Sequence, residues 1–363
     1  MKKWYLMVFI AIISFSAIAQ KLQPGFKKPE YIQMLQLALR QVDELDNAMN
    51  ATSPQGYRLL YRSGIVGLDN RWDLWINNDS IAVISIRGTT REMVSWLANF
   101  YAAMVPAKGS LQLEKNYNFE YQLANDPKAA VHIGWLISTG MLSRDILPKV
   151  DSLFQQGISQ FIITGHSQGG GITFLLNSHL QSLQKSGRLS DKIRFKTYSS
   201  AAPKPGNLYY AYEYEAQNEE GWAYNVVNSS DWVPETPVTI QTVCDFNGVN
   251  PFANASASIQ KQPFPQRIIM RKIYRKLSNP PRKALRNYQK YLGRKVSVLV
   301  RKHLPEFEPP VYFNSSNYSR AGNTIVMIPD SNYRVLFPEN KDQIFIHHLF
   351  DPYFYLAGKL PNR

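Results

Sequence analysis

Runs of apolar residues along this chain predict the strands of a sheet. Two of the runs, 80–86 and 161–164, are almost continuously apolar, which is typical of strands buried on both faces of a parallel sheet. Bounded apolar runs predict further strands at 57–61, 72–76, 193–199, 223–228 and 324–328.

Other segments carry apolar residues at the three-to-four spacing of a helix. This spacing predicts helices at 31–49, 134–153, about 169–183 and from about His348 towards the end of the chain. Alternating strands and helices favour an α/β fold, with a mostly parallel central sheet and helices on both faces. In such a sheet the reacting groups gather at the carboxyl ends of the strands, so a site is expected in the loops there.

The first nineteen residues have the organisation of a secretory signal peptide. Lys2 and Lys3 precede an apolar run from Trp4 to Ile13, and Ala-Ile-Ala at 17–19 provides the small residues that a signal peptidase requires. The run is shorter than the ~20 residues of a spanning helix, which disfavours an N-terminal membrane anchor. We expect residues 1–19 to be a signal peptide, residues 20–363 to form a single domain, and the protein to be secreted or periplasmic.

The positive charge of the chain is concentrated in one segment. Of the 41 Lys and Arg residues, fourteen lie between Phe246 and Pro305, where there is no Asp or Glu, and the remaining 27 balance the 27 acidic residues. Cys244 is the only cysteine, so no intrachain disulfide can form. Stability must therefore come from the core, for which 363 residues with 44% apolar content are ample.

The basic segment has the pattern of an inserted amphipathic unit, at about 246–310. Residues 267–277 predict a helix with one apolar and one basic face, which Asn279, Pro280 and Pro281 should end. Two interpretations remain open: residues 267–302 hold the protein against an anionic membrane surface, or the insertion is a cap whose apolar face packs on the core. No nucleic acid is expected as a partner.

The sequence Gly-His-Ser-Gln-Gly at 165–169 lies between a predicted apolar strand and a predicted helix. This is the context of a nucleophile elbow, in which glycines permit a sharp turn and expose the serine. The N-terminus of the following helix also favours the oxyanion that forms in acyl transfer. Ser167 is therefore the candidate nucleophile.

A serine nucleophile needs a base, and the base needs an acid that fixes its tautomer. Asp231 follows the predicted strand 223–228 and is the preferred acid, with Asp245 as the alternative. Of the six histidines, His347 and His348 at the start of the terminal helix are the candidate bases. No cofactor is implied, and no cluster of His, Asp and Glu has the spacing of a metal site, so a metal-dependent hydrolase lacks support.

Four ordered blocks, with the elbow, resemble the class 3 lipases, the fungal-lipase-like branch of the α/β-hydrolases. The blocks are Ile-Arg-Gly-Thr-Thr at 86–90 with Trp-Leu-Ala-Asn-Phe at 96–100, Val-His-Ile-Gly-Trp at 131–135, Ala-Pro-Lys-Pro-Gly-Asn at 202–207, and Val-Asn-Ser-Ser-Asp-Trp-Val-Pro at 227–234. The resemblance covers about residues 79–237 and the C-terminal histidines. It implies an α/β-hydrolase fold with a basic helical insertion before the catalytic histidine.

The resemblance also implies roles for individual residues. Ser167 attacks the ester carbonyl, Asp231 orients the histidine, and Thr89 with the backbone N–H of Gln168 forms the oxyanion hole. His348 is the preferred base because Tyr353 follows it at the spacing common in the family, and His347 is the alternative. The chain departs from the family at Gln168, where Leu is usual, and in the long interval between the acid and the histidine.

The sequence thus predicts a secreted, lipase-like serine hydrolase that cleaves carboxylic esters of lipids through an acyl-enzyme. The apolar segment 96–105 is a candidate lid. A phospholipase A or another carboxylesterase would use the same machinery, since the shape of the pocket decides the substrate. An alternative of another class is a non-catalytic protein of the same fold that binds a polyanion or a membrane surface.

Overall fold

The structure, a computed structural model, describes residues 21–42 and 54–361. The predicted signal peptide and residues 43–49 of the predicted helix 31–49 lie outside these residues, and within them this helix ends at Leu39. In chain order, the strands of the described residues are β1 (Tyr57–Arg62), β2 (Trp72–Asn77), β3 (Ala82–Ile86), β4 (Met104–Pro106), β5 (Lys108–Glu114), β6 (Tyr117–Gln122), β7 (Ala130–His132), β8 (Gln160–His166), β9 (Arg194–Ser200), β10 (Gly206–Asn207), β11 (Ala223–Asn228), β12 (Tyr318–Ser319) and β13 (Asn323–Met327).

The α-helices surround these strands, and several short 3₁₀ turns connect the elements. In chain order, the helices of the described residues are α1 (Lys28–Leu39), α2 (Met93–Phe100), α3 (Ile133–Gln155), α4 (Gln168–Lys185), α5 (Leu208–Gln217), α6 (Ala255–Gln260), α7 (Phe264–Tyr288), α8 (Val296–His303), α9 (Ser331–Leu336) and α10 (Phe350–Lys359). The helices predicted at 134–153 and 169–183 are present as α3 and α4.

The largest sheet of the described residues has seven strands in the order β1-β2-β3-β8-β9-β11-β13. β1 and β2 pair antiparallel, and the five strands from β3 to β13 run parallel to one another. The predicted fold class is therefore confirmed. Because β8 is central and β9 and β11 are its successive neighbours, the loops at their carboxyl ends share one edge of the sheet.

Helices bury both faces of this sheet, which explains why its strands are almost continuously apolar. Ile84 and Ile163 belong to a core cluster with side chains of α3 and α4. Val83 and Ile162, their neighbours in the chain, point the opposite way and pack with side chains of α1 and α10. The sheet therefore lies between two separate clusters of buried side chains.

The predicted end of the first basic helix is wrong, because α7 continues through Pro280 and Pro281 to Tyr288. Proline accommodates the helical φ angle, but each proline removes the hydrogen bond to the carbonyl four residues earlier, and its ring crowds that carbonyl. Those carbonyls belong to Lys276 and Leu277, which are exposed, so water can bond them. The helix therefore tolerates the two prolines.

The two halves of the insertion differ in burial. A π-helical segment, Gln289–Lys295, joins α7 to α8, and the second half packs on the body of the protein through Leu285, Tyr288, Val296 and Val300. The interpretation of a cap packed on the core is correct for this half only. No helix of residues 21–42 or 54–361 is both long enough and apolar enough to cross a membrane.

Candidate active site

Ser167 occupies a strained turn between β8 and α4. Its backbone angles are φ 61° and ψ −128°, in a region that non-glycine residues rarely adopt and that costs about 1–3 kcal/mol. The turn is held by the Ser167 N–H, which donates to the Ser200 carbonyl at 2.9 Å, and by the Gly171 N–H, which donates to the Ser167 carbonyl at 3.0 Å. The geometry is that of the nucleophile elbow predicted from the sequence.

The glycines on either side of the serine allow α4 to approach the sheet closely. A Cβ atom on Gly169 would lie 2.3 Å from the Ile86 carbonyl oxygen, and one on Gly165 would lie 2.5 Å from the Gly169 carbonyl carbon. Both distances are far shorter than a van der Waals contact. A side chain at Gly165 would push α4 away from β8, and one at Gly169 would push α4 away from the neighbouring strand β3.

Asp231 and His348 are bonded to each other at the carboxyl end of β11. The His348 Nδ1 lies 2.7 Å from Asp231 Oδ2, and both residues are buried. The Tyr353 hydroxyl also donates to Asp231 Oδ2 at 2.8 Å, and the Val233 N–H donates to Oδ1 at 3.0 Å. The carboxylate therefore requires a proton on Nδ1, which leaves Nε2 of His348 as the basic nitrogen.

The two alternative residues have other partners. The Nδ1 of His347 lies 2.8 Å from the Tyr333 hydroxyl, and its carbonyl accepts a hydrogen bond from the Asn228 amide at 3.0 Å. Asp245 accepts hydrogen bonds from Thr242 and from the Ser315 hydroxyl, which fixes a 3₁₀ turn at 243–245. Neither side chain is hydrogen-bonded to Asp231 or His348.

His166 supports the backbone of the base, a role that the sequence did not indicate. Its Nε2 lies 2.8 Å from the His348 carbonyl and must donate to it, so its Nδ1 accepts from the Ser200 hydroxyl at 3.1 Å. Tyr31 then donates to Ser200 at 2.8 Å. This chain of hydrogen bonds passes through His166, the residue that precedes Ser167, and joins α1 to the loop of His348. The only sequence signal was the position of His166 at the end of a buried strand.

Thr89 and Gln168, the predicted oxyanion residues, are connected through Asn99. The Asn99 Nδ2 donates to Thr89 Oγ1 at 2.9 Å. The Asn99 Oδ1 accepts from the Gln168 side chain at 3.0 Å and from the Trp135 indole at 3.1 Å. Because two donors bind Oδ1, the orientation of the Asn99 amide is determined, and Thr89 keeps its hydroxyl proton for another acceptor.

Gln168 is the first residue of α4, so its backbone N–H has no partner within the helix. Its side chain is 1% exposed and also donates to the Ser95 carbonyl at 2.9 Å. The residue that departs from the family pattern thus contributes a bonded side chain as well as a backbone donor. Asn99 lies in a block that the sequence singled out, but no role was predicted for it.

The predicted lid segment is mostly part of the core. Residues 101–105 are buried, and β4 pairs with β7 in a second sheet. A Cβ atom on Gly134 would lie only 2.0 Å from the Ala98 carbonyl, so α2 is in close contact with α3. If residues 101–105 moved as a lid, their buried side chains would leave the core and β4 would separate from β7. The lid prediction is therefore wrong for residues 101–105. Among residues 93–105, only Met93 and Phe100 have large exposed apolar side chains.

Among residues 21–42 and 54–361, no group of three or more His, Cys, Asp or Glu side chains is arranged to hold a metal ion. The side chains at this edge of the sheet can instead support acyl transfer. A serine, a histidine with one free nitrogen, a buried carboxylate and two hydrogen-bond donors are the groups that this reaction uses.

A serine at positive φ between a parallel strand and a helix is typical of the α/β-hydrolases, which is the class of fold seen here. Residues 83–241 match the family model described as lipase (class 3). The matched residues include Ser167 and Asp231, and the match confirms the resemblance seen in the sequence blocks. The protein is accordingly a carboxylic ester hydrolase of the lipase type.

Solved structures similar to this chain include several lipases. A fungal lipase in complex with an inhibitor is 19% identical, covering 58% of this chain and 74% of its own, with a TM-score of 0.45. The Lip2 lipase from Yarrowia lipolytica is 17% identical, covering 58% and 73%, with a TM-score of 0.44. The lipase from Rhizopus microsporus var. chinensis is 21% identical, covering 58% and 69%, with a TM-score of 0.41. No curated protein matches the chain significantly.

Acid is expected to destabilise the fold through its buried histidines. Burial lowers the pKa of His132 and His166 from 6.5 to about 3 and that of His179 to about 4. Between these values and 6.5 the unfolded chain binds protons that the folded protein does not. Each histidine therefore removes about 1.4 kcal/mol of stability per unit fall in pH.

Urea unfolding at a series of pH values measures this effect. His179→Leu removes one of the three groups, so its stability should fall less steeply than that of the wild type between pH 6.5 and about 4. His303→Gln, on the exposed surface, is the matched control and should follow the wild type. Equal slopes for the wild type and His179→Leu would contradict the prediction.

Proposed function

We propose that this protein is an exported hydrolase of lipid carboxylic esters in which Ser167, His348 and Asp231 form the catalytic triad. The observation that carries the proposal is the 2.7 Å contact between His348 and the buried Asp231 beside the strained elbow. His166, the neighbour of Ser167, bonds the His348 carbonyl, which supports a common location for all three residues.

In the proposed reaction, the Nε2 of His348 takes the proton of the Ser167 hydroxyl as its oxygen attacks the ester carbonyl carbon. The backbone N–H of Gln168 and the hydroxyl of Thr89 stabilise the oxyanion. The protonated His348, oriented by Asp231, then gives its proton to the departing alcohol, which leaves an acyl-enzyme on Ser167. A water molecule, activated by His348 in the same way, releases the carboxylic acid.

The proposed substrate is a lipid ester, and the proposed setting is outside the cytoplasm. The lipase family match of residues 83–241 supports the substrate class, and the pattern of residues 1–19 supports export. Contact with an anionic membrane surface through residues 267–302 is the third part of the proposal, supported by their uniform positive charge. A phospholipid or another carboxylic ester is an equally compatible substrate of the same triad.

Labelling with a fluorophosphonate, followed by hydrolysis assays on p-nitrophenyl esters of increasing chain length, tests this function. We expect a covalent adduct on Ser167, identified by mass spectrometry, and none on Ser167→Ala. We also expect long-chain esters to be cleaved. Ser230→Ala, a change of the same kind at a half-buried serine in the turn before Asp231, is the matched control for labelling. A protein that neither reacts with the probe nor cleaves any ester would leave the non-catalytic alternative.

A further inference from the structure

The first half of α7 exposes an apolar row to solvent. Ile269, Ile273 and Leu277 are spaced four residues apart, so they lie along one side of the helix, and they are 60%, 53% and 70% exposed. We call these three residues the apolar row. Met270 lies beside it and is 41% exposed. Side chains of this size are normally buried, so a continuous exposed row indicates a binding surface.

Basic residues border the apolar row and cover the opposite side of the same helix. At 100° per residue, Lys272, Lys276 and Lys283 follow one edge of the row, and we call them the lysine row. The far side carries Arg271, Arg275, Arg282 and Arg286. Because the segment 246–305 contains no acidic residue, none of this charge is neutralised by a carboxylate within that segment.

From this arrangement we infer that α7 docks flat on an anionic lipid bilayer, with the apolar row buried at the boundary between headgroups and acyl chains. The inference rests on the proposed function for its purpose, since docking would keep a lipid-ester hydrolase at its substrate. A helix in this position buries its apolar side by about 5–10 Å. The lysine row then reaches the phosphates, because long lysine side chains extend from the apolar boundary towards water.

Other occupants fit the same surface less well. A second copy of this chain would bring the same fourteen positive charges against the first, and the two faces would repel. A nucleic acid would contact the basic side alone and leave the apolar row in water. An anionic bilayer buries the apolar residues and pairs with the basic residues at the same time, so it is the occupant that we infer.

The docking helix is continuous with the body of the protein near the oxyanion residues. The insertion continues from α7 into the π-helical segment, where the Leu292 carbonyl accepts a hydrogen bond from the Ala103 N–H at 3.1 Å. Ala103 follows α2, the helix that carries Asn99. A protein anchored through α7 is thus held by a helix whose continuation is hydrogen-bonded to the residues that follow α2.

Vesicle binding by the full chain carrying Ser167→Ala tests the inference without hydrolysis of the lipid. Co-sedimentation with vesicles of equal parts phosphatidylcholine and phosphatidylglycerol should exceed that with phosphatidylcholine alone by more than about tenfold in affinity, and should weaken as salt is added. Changing the apolar row to serine (Ile269→Ser, Ile273→Ser, Leu277→Ser) should reduce binding to anionic vesicles by at least about tenfold.

A matched control distinguishes the effect of the apolar row from that of any exposed apolar side chain. Val249→Ser, Val311→Ser and Val335→Ser alter three valines that are 99%, 89% and 79% exposed elsewhere, and this variant should bind as Ser167→Ala alone does. Replacing the lysine row with glutamine should weaken the preference for phosphatidylglycerol, because three of the fourteen basic residues are removed. Urea unfolding of each variant shows that it is folded.

Two results would overturn the docking inference. One is equal binding to neutral and anionic vesicles. The other is wild-type affinity in the apolar-row variant, which would indicate a polyanion held by charge alone. Hydrolysis of a soluble short-chain ester, with Ser167 restored, reports on the proposed function separately, because α7 contributes no residue to the triad or the oxyanion hole. A protein that docks but cleaves no ester would refute that function and leave the docking intact.

Discussion

Replacing His348 with alanine should lower kcat/KM for p-nitrophenyl esters by about four orders of magnitude, whereas His347→Ala should cost less than about tenfold. His348 is bonded through Nδ1 to Asp231, so its Nε2 is the nitrogen able to take the serine proton. His347 is bonded to Tyr333 and Asn228 and contributes only to the packing of its loop. Steady-state kinetics of the two variants, beside the wild type, measure the difference.

A third variant distinguishes catalysis from folding at this position. His348→Asn keeps a side-chain donor near Asp231 but has no basic nitrogen, so it should be folded and as inactive as His348→Ala. The thermal unfolding midpoints of the His347 and His348 variants serve as the control. If His347→Ala is the variant that loses activity, the base is one residue earlier than the hydrogen bonds of Asp231 indicate.

Thr89→Val should lower kcat by about 10²- to 10³-fold with little change in KM, because it removes one donor to the oxyanion and leaves the shape of the side chain unchanged. The Asn99 amide donates to the Thr89 oxygen, which directs the hydroxyl proton away from Asn99 and towards another acceptor. Thr89→Ser keeps the hydroxyl and is the matched control, with activity expected within about tenfold of the wild type.

Gln168→Leu extends this prediction to the residue that positions Asn99. The backbone N–H of residue 168 remains, but Asn99 Oδ1 loses one of its two donors, and the Ser95 carbonyl loses its bond to Gln168. We expect a smaller loss of kcat, of about tenfold, corresponding to one hydrogen bond of about 1.4 kcal/mol. If Thr89→Val keeps nearly full activity, the threonine hydroxyl is not an oxyanion donor, and the loss in Gln168→Leu should vanish as well.

The contrast between Ser167 and His348 shows how far sequence reasoning reaches in this protein. The elbow depends on residues 160–185, a strand, a sharp turn and a helix that follow one another in the chain. Local patterns of apolar residues and glycine are sufficient to predict it. The pair of Asp231 and His348 is separated by 117 residues. Their positions in the predicted elements made Asp231 and the two adjacent histidines candidates, but only the resemblance to a family favoured His348 over His347.

The apolar spacing predicted α7 correctly as a helix but could not show what its apolar side contacts. The same pattern is consistent with a side packed on a core and with a side that binds a membrane, because amphipathicity records only that the two sides differ. The prediction from Pro280 and Pro281 was wrong for a related reason. They were expected to end a helix, but the exposed helix α7 continues through both of them at the loss of two backbone hydrogen bonds.

By itself, the sequence determined the alternation of strands and helices, the serine elbow and the position of the basic segment, because each depends on neighbours in the chain. The tertiary structure alone decided that His166 supports the His348 backbone, that Asn99 orients Thr89, that residues 101–105 are buried and that the apolar row of α7 is exposed. These features depend on contacts between residues far apart in the chain. Their geometry follows from how the layers pack around the sheet, which no local pattern encodes.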